Sequence, residues 1–275
     1  MLVYKISRSS IEQLHFDLPD FDSITMELPS GLYTTFRTYA ERTKVIGLRA
    51  HLDRLYLPAI AKGIAVVQNQ ALFRETLTDM LKSLQPHEAR ARLILDMSKE
   101  PDEIYVLLQA LQALPQKVYR DGVRVGISRG RRKKPLLKQT TFIAESASER
   151  KRLGGEIFEI LLTHNGRILE GMTSNFFYVR DGELYTAGRG VLPGVTRGTV
   201  ITVARQAAIR VRYKALSLPE IPEIDEAFIT SSSRGVVPVV QIADQLIGNG
   251  KVGEATKQLM DLFERKIFDM AESIL

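Results

Sequence analysis

Leu169-Glu170-Gly171-Met172-Thr173-Ser174-Asn175 runs directly into Phe176-Phe177-Tyr178-Val179, setting one carboxylate and a short polar loop at the entrance of an apolar run that reads as a buried strand. Two other stretches combine glycine, hydroxyl and charged residues in a way a plain core does not need. Glu226-Ala227-Phe228-Ile229 is followed at once by Thr230-Ser231-Ser232-Ser233, four hydroxyls at a strand end that offer short donors to an anion. Leu192-Pro193-Gly194-Val195-Thr196-Arg197-Gly198 precedes a helical pattern, so the amides of Val195 and Thr196 sit where the positive end of a helix accepts an anion. Read alone, each stretch also fits a polar turn, with Thr196 as a helix N-cap in the last case.

Working outward, residues 123–128, 159–162, 176–179 and 227–230 read as strands, and residues 141–153 and 198–209 as helices. Residues 254–271 form an amphipathic helix with Leu259, Leu262, Phe263, Ile267 and Met270 on one face. The first half opens on alternation in Leu2-Val3-Tyr4-Lys5-Ile6 and continues with strand-like runs at 31–39, 91–97 and 104–110. Apolar spacings of three and four predict helices over 51–62 and 71–84. Residues 111–117 break the pattern at Pro115. The expected organisation is therefore an N-terminal α/β domain over 1–114, a linker over 115–121 and a C-terminal domain over 122–275. His51-Leu52-Asp53-Arg54-Leu55-Tyr56 opens a helix whose Arg54 either reaches a phosphate with its forked donors or lies along the surface.

Composition narrows the chemistry. The 275 residues include no cysteine, which removes disulfides, thiolate metal sites and thiol nucleophiles together. His15, His51, His87 and His164 are too widely spaced to suggest a metal cluster, so no metal is expected. A net charge of +6 is concentrated in Arg129-Gly130-Arg131-Arg132-Lys133-Lys134. That run lacks interleaved aromatics and any nucleic-acid-binding signature, so it reads as a solvated loop or a contact for an anionic substrate. No apolar stretch reaches the roughly 20 residues that span a bilayer, and no secretory signal opens the chain. A soluble cytoplasmic protein, with neither membrane nor nucleic acid as partner, is expected.

Taken in order, His51-Leu52-Asp53-Arg54-Leu55, Leu137-Lys138-Gln139-Thr140, Leu169 to Asn175, Pro193-Gly194-Val195-Thr196-Arg197 and Thr230-Ser231-Ser232-Ser233 resemble the class IV aminotransferases. These are the fold-type IV pyridoxal 5'-phosphate (PLP) enzymes, a group holding branched-chain, D-amino-acid and R-selective amine aminotransferases and aminodeoxychorismate lyase. The resemblance covers residues 30–263. It implies an α/β (α+β) fold with a smaller N-terminal α/β domain, a larger β-barrel-like C-terminal domain and the site between them. It implies PLP as cofactor, with Lys138 as Schiff-base lysine and proton-transfer base. By the same resemblance Glu170 lies beside the pyridine nitrogen with Asn175 helping to hold it, Leu192 packs on the ring, and Arg54, the amides of Val195 and Thr196, and Ser232 contact the phosphate. Tyr33 and Arg37 match the family's substrate-facing strand, where a spacing of four puts both on one face. Arg37 there is either a carboxylate binder or a buried structural arginine.

The reaction so implied is transamination between an amino acid or amine and a 2-oxo acid, in a branched-chain aminotransferase-like homodimer. A lyase of the aminodeoxychorismate type and a non-catalytic anion-binding relative are the alternatives. One position and one segment depart from the family: Thr141 replaces an asparagine common three residues after the lysine, and Asp96-Met97-Ser98-Lys99-Glu100-Pro101-Asp102 lacks the arginine and histidine with which the D-amino-acid enzymes trap a substrate carboxylate.

Overall fold

The computed structural model describes residues 1–65, 69–97, 103–151 and 155–275. In chain order its elements begin β1 (Leu2–Ile6), β2 (Ile11–Leu14), α1 (Phe21–Glu27), β3 (Gly31–Arg37), β4 (Lys44–Ile46), α2 (Leu48–Ile60), α3 (Gln70–Lys82), β5 (Ala89–Asp96) and β6 (Ile104–Ala110). They continue α4 (Gln116–Asp121), β7 (Val123–Arg129), α5 (Thr141–Glu145), α6 (Ala147–Arg150), β8 (Glu159–His164), β9 (Arg167–Gly171), β10 (Asn175–Arg180), β11 (Glu183–Thr186) and α7 (Val195–Gln206). The last are β12 (Val211–Tyr213), β13 (Leu216–Ser217), β14 (Glu226–Ser231), β15 (Gly235–Ile242), β16 (Gln245–Leu246), α8 (Glu254–Met270) and β17 (Ala271–Ser273). They divide into two compact units that are not sequential: Met1–Gln112 with Leu137–Glu145 and Met270–Leu275, and Ala113–Leu136 with Ser146–Asp269.

The first unit is built on an antiparallel sheet of order β2-β1-β6-β5-β3. Side chains alternate across it with the period of two that a pleated strand imposes. Leu32 and Phe36 of β3, with Ala91, Leu93 and Leu95 of β5, bury against Leu48, Leu52 and Leu55 of α2 and Phe73 and Leu77 of α3. Tyr33, Ile94, Tyr105 and Leu107 face the other way, onto Phe21 and Ile24 of α1 and Ile143 of α5. Helix α2 begins a turn earlier than the periodicity predicts, because Gly47 adopts a left-handed conformation (φ 60°) that lets the chain turn into the helix.

In the second unit β7, β8, β9, β10, β14 and β15 close into a ring. The closing pair is Glu170 of β9 opposite Asn175 of β10. Val125, Leu161, Ile168, Phe176, Tyr178, Ile229, Val237 and Val239 fill the interior. The sheet runs on outside the ring through β11 and β12, while β13 and β16 add edge pairs. Helix α7 packs against β14. The helix expected over 141–153 is two short helices, α5 and α6, interrupted at Ser146, whose ψ of 7° leaves the helical range; residues 152–154 lie outside the described residues. Residues 116–121 form helix α4, with Pro115 at its N-cap.

Candidate active site

A β-bulge sets the position of Glu170. Leu162 of β8 pairs with Glu170 and Thr163 with Ile168, so Leu169 is one residue extra on β9. Strict alternation would put Glu170 on the same face as Ile168, inside the barrel; the bulge shifts the register by one and turns Glu170 to the outer face with Leu162. There the carboxylate is buried, with 2% of the residue exposed, and it is held on three sides. Arg132 Nε donates to Oε1 at 3.0 Å, the Leu192 N–H donates to Oε2 at 3.0 Å, and Asn175 Nδ2 approaches Oε2 at 3.4 Å while donating to the Leu192 carbonyl at 2.8 Å. Arg132 also donates to the Met172 carbonyl at 2.7 Å.

Arg132 corrects the reading of the basic run as a solvated loop. Arg131, Lys133 and Lys134 are exposed, but Arg132 is buried in an ion pair with Glu170. No feature of the run distinguishes this one cation from its neighbours.

Helix α7 starts at Val195, with Gly194 rather than Thr196 as N-cap and no side chain capping it. Glycine is required at 194: a Cβ there would fall 2.0 Å from Asn175 Oδ1. The Gly198 N–H closes onto the Gly194 carbonyl, so the amides of Val195, Thr196 and Arg197 are the helix's opening N–H groups and have no carbonyl within the helix to bond. Thr196 Oγ1 donates to Ser232 Oγ at 3.3 Å, bringing the hydroxyl turn between β14 and β15 to the same end. Glu170, Asn175, Leu192, Val195, Thr196 and Ser232 are thus joined within the second unit by a short chain of contacts.

Lys138, Arg54, Tyr33 and Arg37 belong to the first unit. Residues 137–140 lie along the start of β3: the Tyr33 N–H donates to the Lys138 carbonyl at 2.8 Å and the Thr140 N–H to the Gly31 carbonyl at 2.9 Å. The Gly31 N–H donates in turn to Thr140 Oγ1 at 2.9 Å. Lys138 Nζ stands 4.9 Å from the centroid of the Tyr33 ring, within cation–π range. Arg37 lies further along the same face of β3, its guanidinium carbon 4.6 Å from the centre of the Tyr39 ring. His51, buried on α2, has Nδ1 2.6 Å from Thr34 Oγ1. Burial first, and then the charges of Arg54 and Lys138, hold its pKa well below the ordinary 6.5, so both cations act on one neutral imidazole. The departure noted at 96–102 lies, from Ser98 onward, outside the described residues.

The model for the family described as amino-transferase class IV matches residues 31–242. The chain belongs to the class IV aminotransferases. It is 28% identical over 261 residues to a Thermotoga maritima protein named "Probable branched-chain-amino-acid aminotransferase", covering 92% of each chain. It is 24% identical over 261 residues to the D-alanine aminotransferase of Bacillus licheniformis, covering 90% of this chain and 91% of that one. The crystal structure of a T.th. branched-chain amino acid aminotransferase with pyridoxamine 5'-phosphate superposes with a TM-score of 0.80 at 19% identity, over 100% of this chain and 98% of the other. This class IV aminotransferase therefore has the fold-type IV architecture, an α/β (α+β) chain with a barrel-like second unit, and it is an enzyme of transamination. Class IV aminotransferases are PLP enzymes.

Proposed function

We propose that this class IV aminotransferase binds PLP and moves an amino group from a branched-chain amino acid to a 2-oxo acid. The observation that carries the reading is the buried carboxylate of Glu170, held by Arg132, Asn175 and the Leu192 amide on the barrel's outer face. A solvated turn would have no use for it. The donor chemistry fits the cofactor at both ends. The opening amides of α7 with the hydroxyls of Thr196 and Ser232 suit a phosphate, and an acceptor-only carboxylate suits a protonated ring nitrogen. Arg54 would add a forked charge to the phosphate, and Leu192, fixed through both its N–H and its carbonyl, would present its side chain to the ring.

When bound, PLP supplies an electron sink for negative charge at the substrate α-carbon. The protein's own work is to hold and move protons. Glu170 would keep a proton on the ring nitrogen by offsetting its charge. Lys138 would hold the cofactor through Nζ and, with Nζ free, would act as the base that takes the substrate α-proton and gives it back. A lysine does this near neutral pH only when its pKa falls below its usual value of about 10.4, which a nearby cation promotes. Tyr33, against Lys138 Nζ, and Arg37 further along β3 would face the substrate. A homodimer is part of the proposal.

The branched-chain donor rests on the name of the Thermotoga maritima relative, and no observation favours the lyase or non-catalytic alternatives. The test is a half-reaction with purified yellow protein: L-leucine or L-valine should bleach the cofactor band, and 2-oxoglutarate should restore it. Bleaching by D-alanine alone would refute the donor assignment, and release of pyruvate from aminodeoxychorismate would favour the lyase.

A further inference from the structure

We infer that Arg234 and Glu159 form a positioning pair which, from the inner side of the barrel, fixes the spacing of the two turns that carry Ser232 and the Glu170–Asn175 pair; the inference rests on the PLP reading above. Glu159 opens β8 and is wholly buried on the same face as Leu161, at the edge of the apolar interior. A carboxylate there is costly unless it is paired and fully hydrogen-bonded. Its Oε1 accepts the Ile160 N–H at 3.0 Å. Its Oε2 accepts the Thr173 N–H at 3.2 Å, the Thr173 hydroxyl, Ser174 Oγ at 3.1 Å and Arg234 Nη2 at 3.3 Å.

Arg234 spans from there to the second turn. Its Nε donates to Ser231 Oγ at 3.0 Å, and Nη2 also donates to Thr173 Oγ1. Its guanidinium carbon lies 5.2 Å from the centre of the Phe158 ring, and its carbonyl accepts the Tyr119 hydroxyl at 2.9 Å. Each turn already closes on itself, through Gly171 N–H to the Ser174 carbonyl at 2.9 Å and Arg234 N–H to the Ser231 carbonyl at 3.3 Å. The charged network is therefore not what forms the turns; it joins one to the other. Thr173 and Ser174 lie between Glu170 and Asn175 in the chain, while Ser232 lies between Ser231 and Arg234. Moving either turn would strand a buried charge, so the distance between the phosphate end and the ring-nitrogen end is set before the cofactor arrives. Only a planar fork with several fixed donors reaches both turns at once, which a lysine cannot do.

The experiment measures PLP affinity of the cofactor-free protein by absorbance titration, alongside its melting temperature, for wild type, Arg234→Gln, Arg234→Lys and the double variant Glu159→Gln/Arg234→Gln. Arg234→Gln should weaken PLP binding about tenfold or more, as expected when a charge-assisted hydrogen bond is lost, and Arg234→Lys should recover only part of that. The double variant no longer buries an unpaired charge, so it should recover part of the melting temperature without the affinity; the rest of the loss stays, because the glutamine NH2 faces either the Ile160 or the Thr173 N–H that the carboxylate accepted. A pair that served stability alone would recover the two in step, and that outcome, or wild-type affinity in Arg234→Gln, would overturn the inference. Failure of the wild-type protein to bind PLP would instead overturn the cofactor reading and the inference with it.

Discussion

Replacing Glu170 by glutamine should unfold the cofactor-free protein more readily, even though the two side chains have nearly the same size. The carboxylate accepts on both oxygens, from Arg132 on Oε1 and from the Leu192 N–H and Asn175 on Oε2. Glutamine has one oxygen. If that oxygen stays with Arg132, its NH2 group meets the Leu192 N–H, donor against donor; if the amide flips, its NH2 group meets the guanidinium. Breaking a buried ion pair from one side costs about 3–5 kcal/mol, and a buried amide left without an acceptor costs about 1–3 kcal/mol. The two costs share the Arg132 and Leu192 contacts and do not simply add, so the expected loss is about 4 kcal/mol. Urea unfolding of the cofactor-free protein measures it. Arg132→Met alone should cost a comparable amount, and the double variant less than the sum, with a coupling of about 2–3 kcal/mol. A loss under about 1 kcal/mol for Glu170→Gln, with no coupling to Arg132, would refute the reasoning, because a buried charge pair cannot be broken that cheaply.

Arg54→Ala should weaken PLP binding by about 2–5 kcal/mol while leaving the rate at saturating cofactor little changed, since an anchor is used equally in ground and transition states; equilibrium titration and saturated half-reaction rates check the split. Gly194→Ala should drive a methyl group into Asn175 Oδ1, where the Cβ would lie at 2.0 Å, and so loosen the hold on Leu192; lowered PLP affinity and a changed near-ultraviolet dichroism are expected. His51 is neutral in the folded protein but free to take a proton on unfolding, because burial and the charges of Arg54 and Lys138 depress its pKa. Folding stability should therefore be level with respect to this group above about pH 6.5 and fall as pH drops below it, by up to about 1.4 kcal/mol per unit. Urea unfolding between pH 5 and 7.5 should show that slope in wild type and lose it in His51→Gln.

Much of the architecture is written in the periodicity of the chain. β6 runs over Ile104–Ala110 where the strand-like run was expected, and α3, α7 and α8 follow their expected helical segments with ends displaced by at most a few residues. Displaced ends have local causes that pattern does not carry, such as the left-handed Gly47 before α2. Long-range pairings left weaker traces. Nothing in Leu137-Lys138-Gln139-Thr140 announces that its backbone pairs with Gly31 and Tyr33, about a hundred residues earlier, because a strand edge is completed by whichever segment satisfies its N–H and C=O groups.

The candidate site divides in the same way. Glu170, Asn175 and Ser232 stand out as polar residues at the ends of apolar runs, and Thr196 as a hydroxyl between a Pro-Gly turn and a helical pattern. The bulge at Leu169 that turns Glu170 outward is invisible in a sequence whose alternation points the other way. Arg132 is one cation in a run of five, and burial alone singles it out.

The most direct test of the account is chemical. Purified protein should be yellow, and borohydride reduction followed by digestion and mass spectrometry should fix a phosphopyridoxyl group on the peptide carrying Lys138. Finding the group on Lys133 or Lys134, or on no lysine of a protein saturated with PLP, would contradict the central claim that Lys138 holds the cofactor.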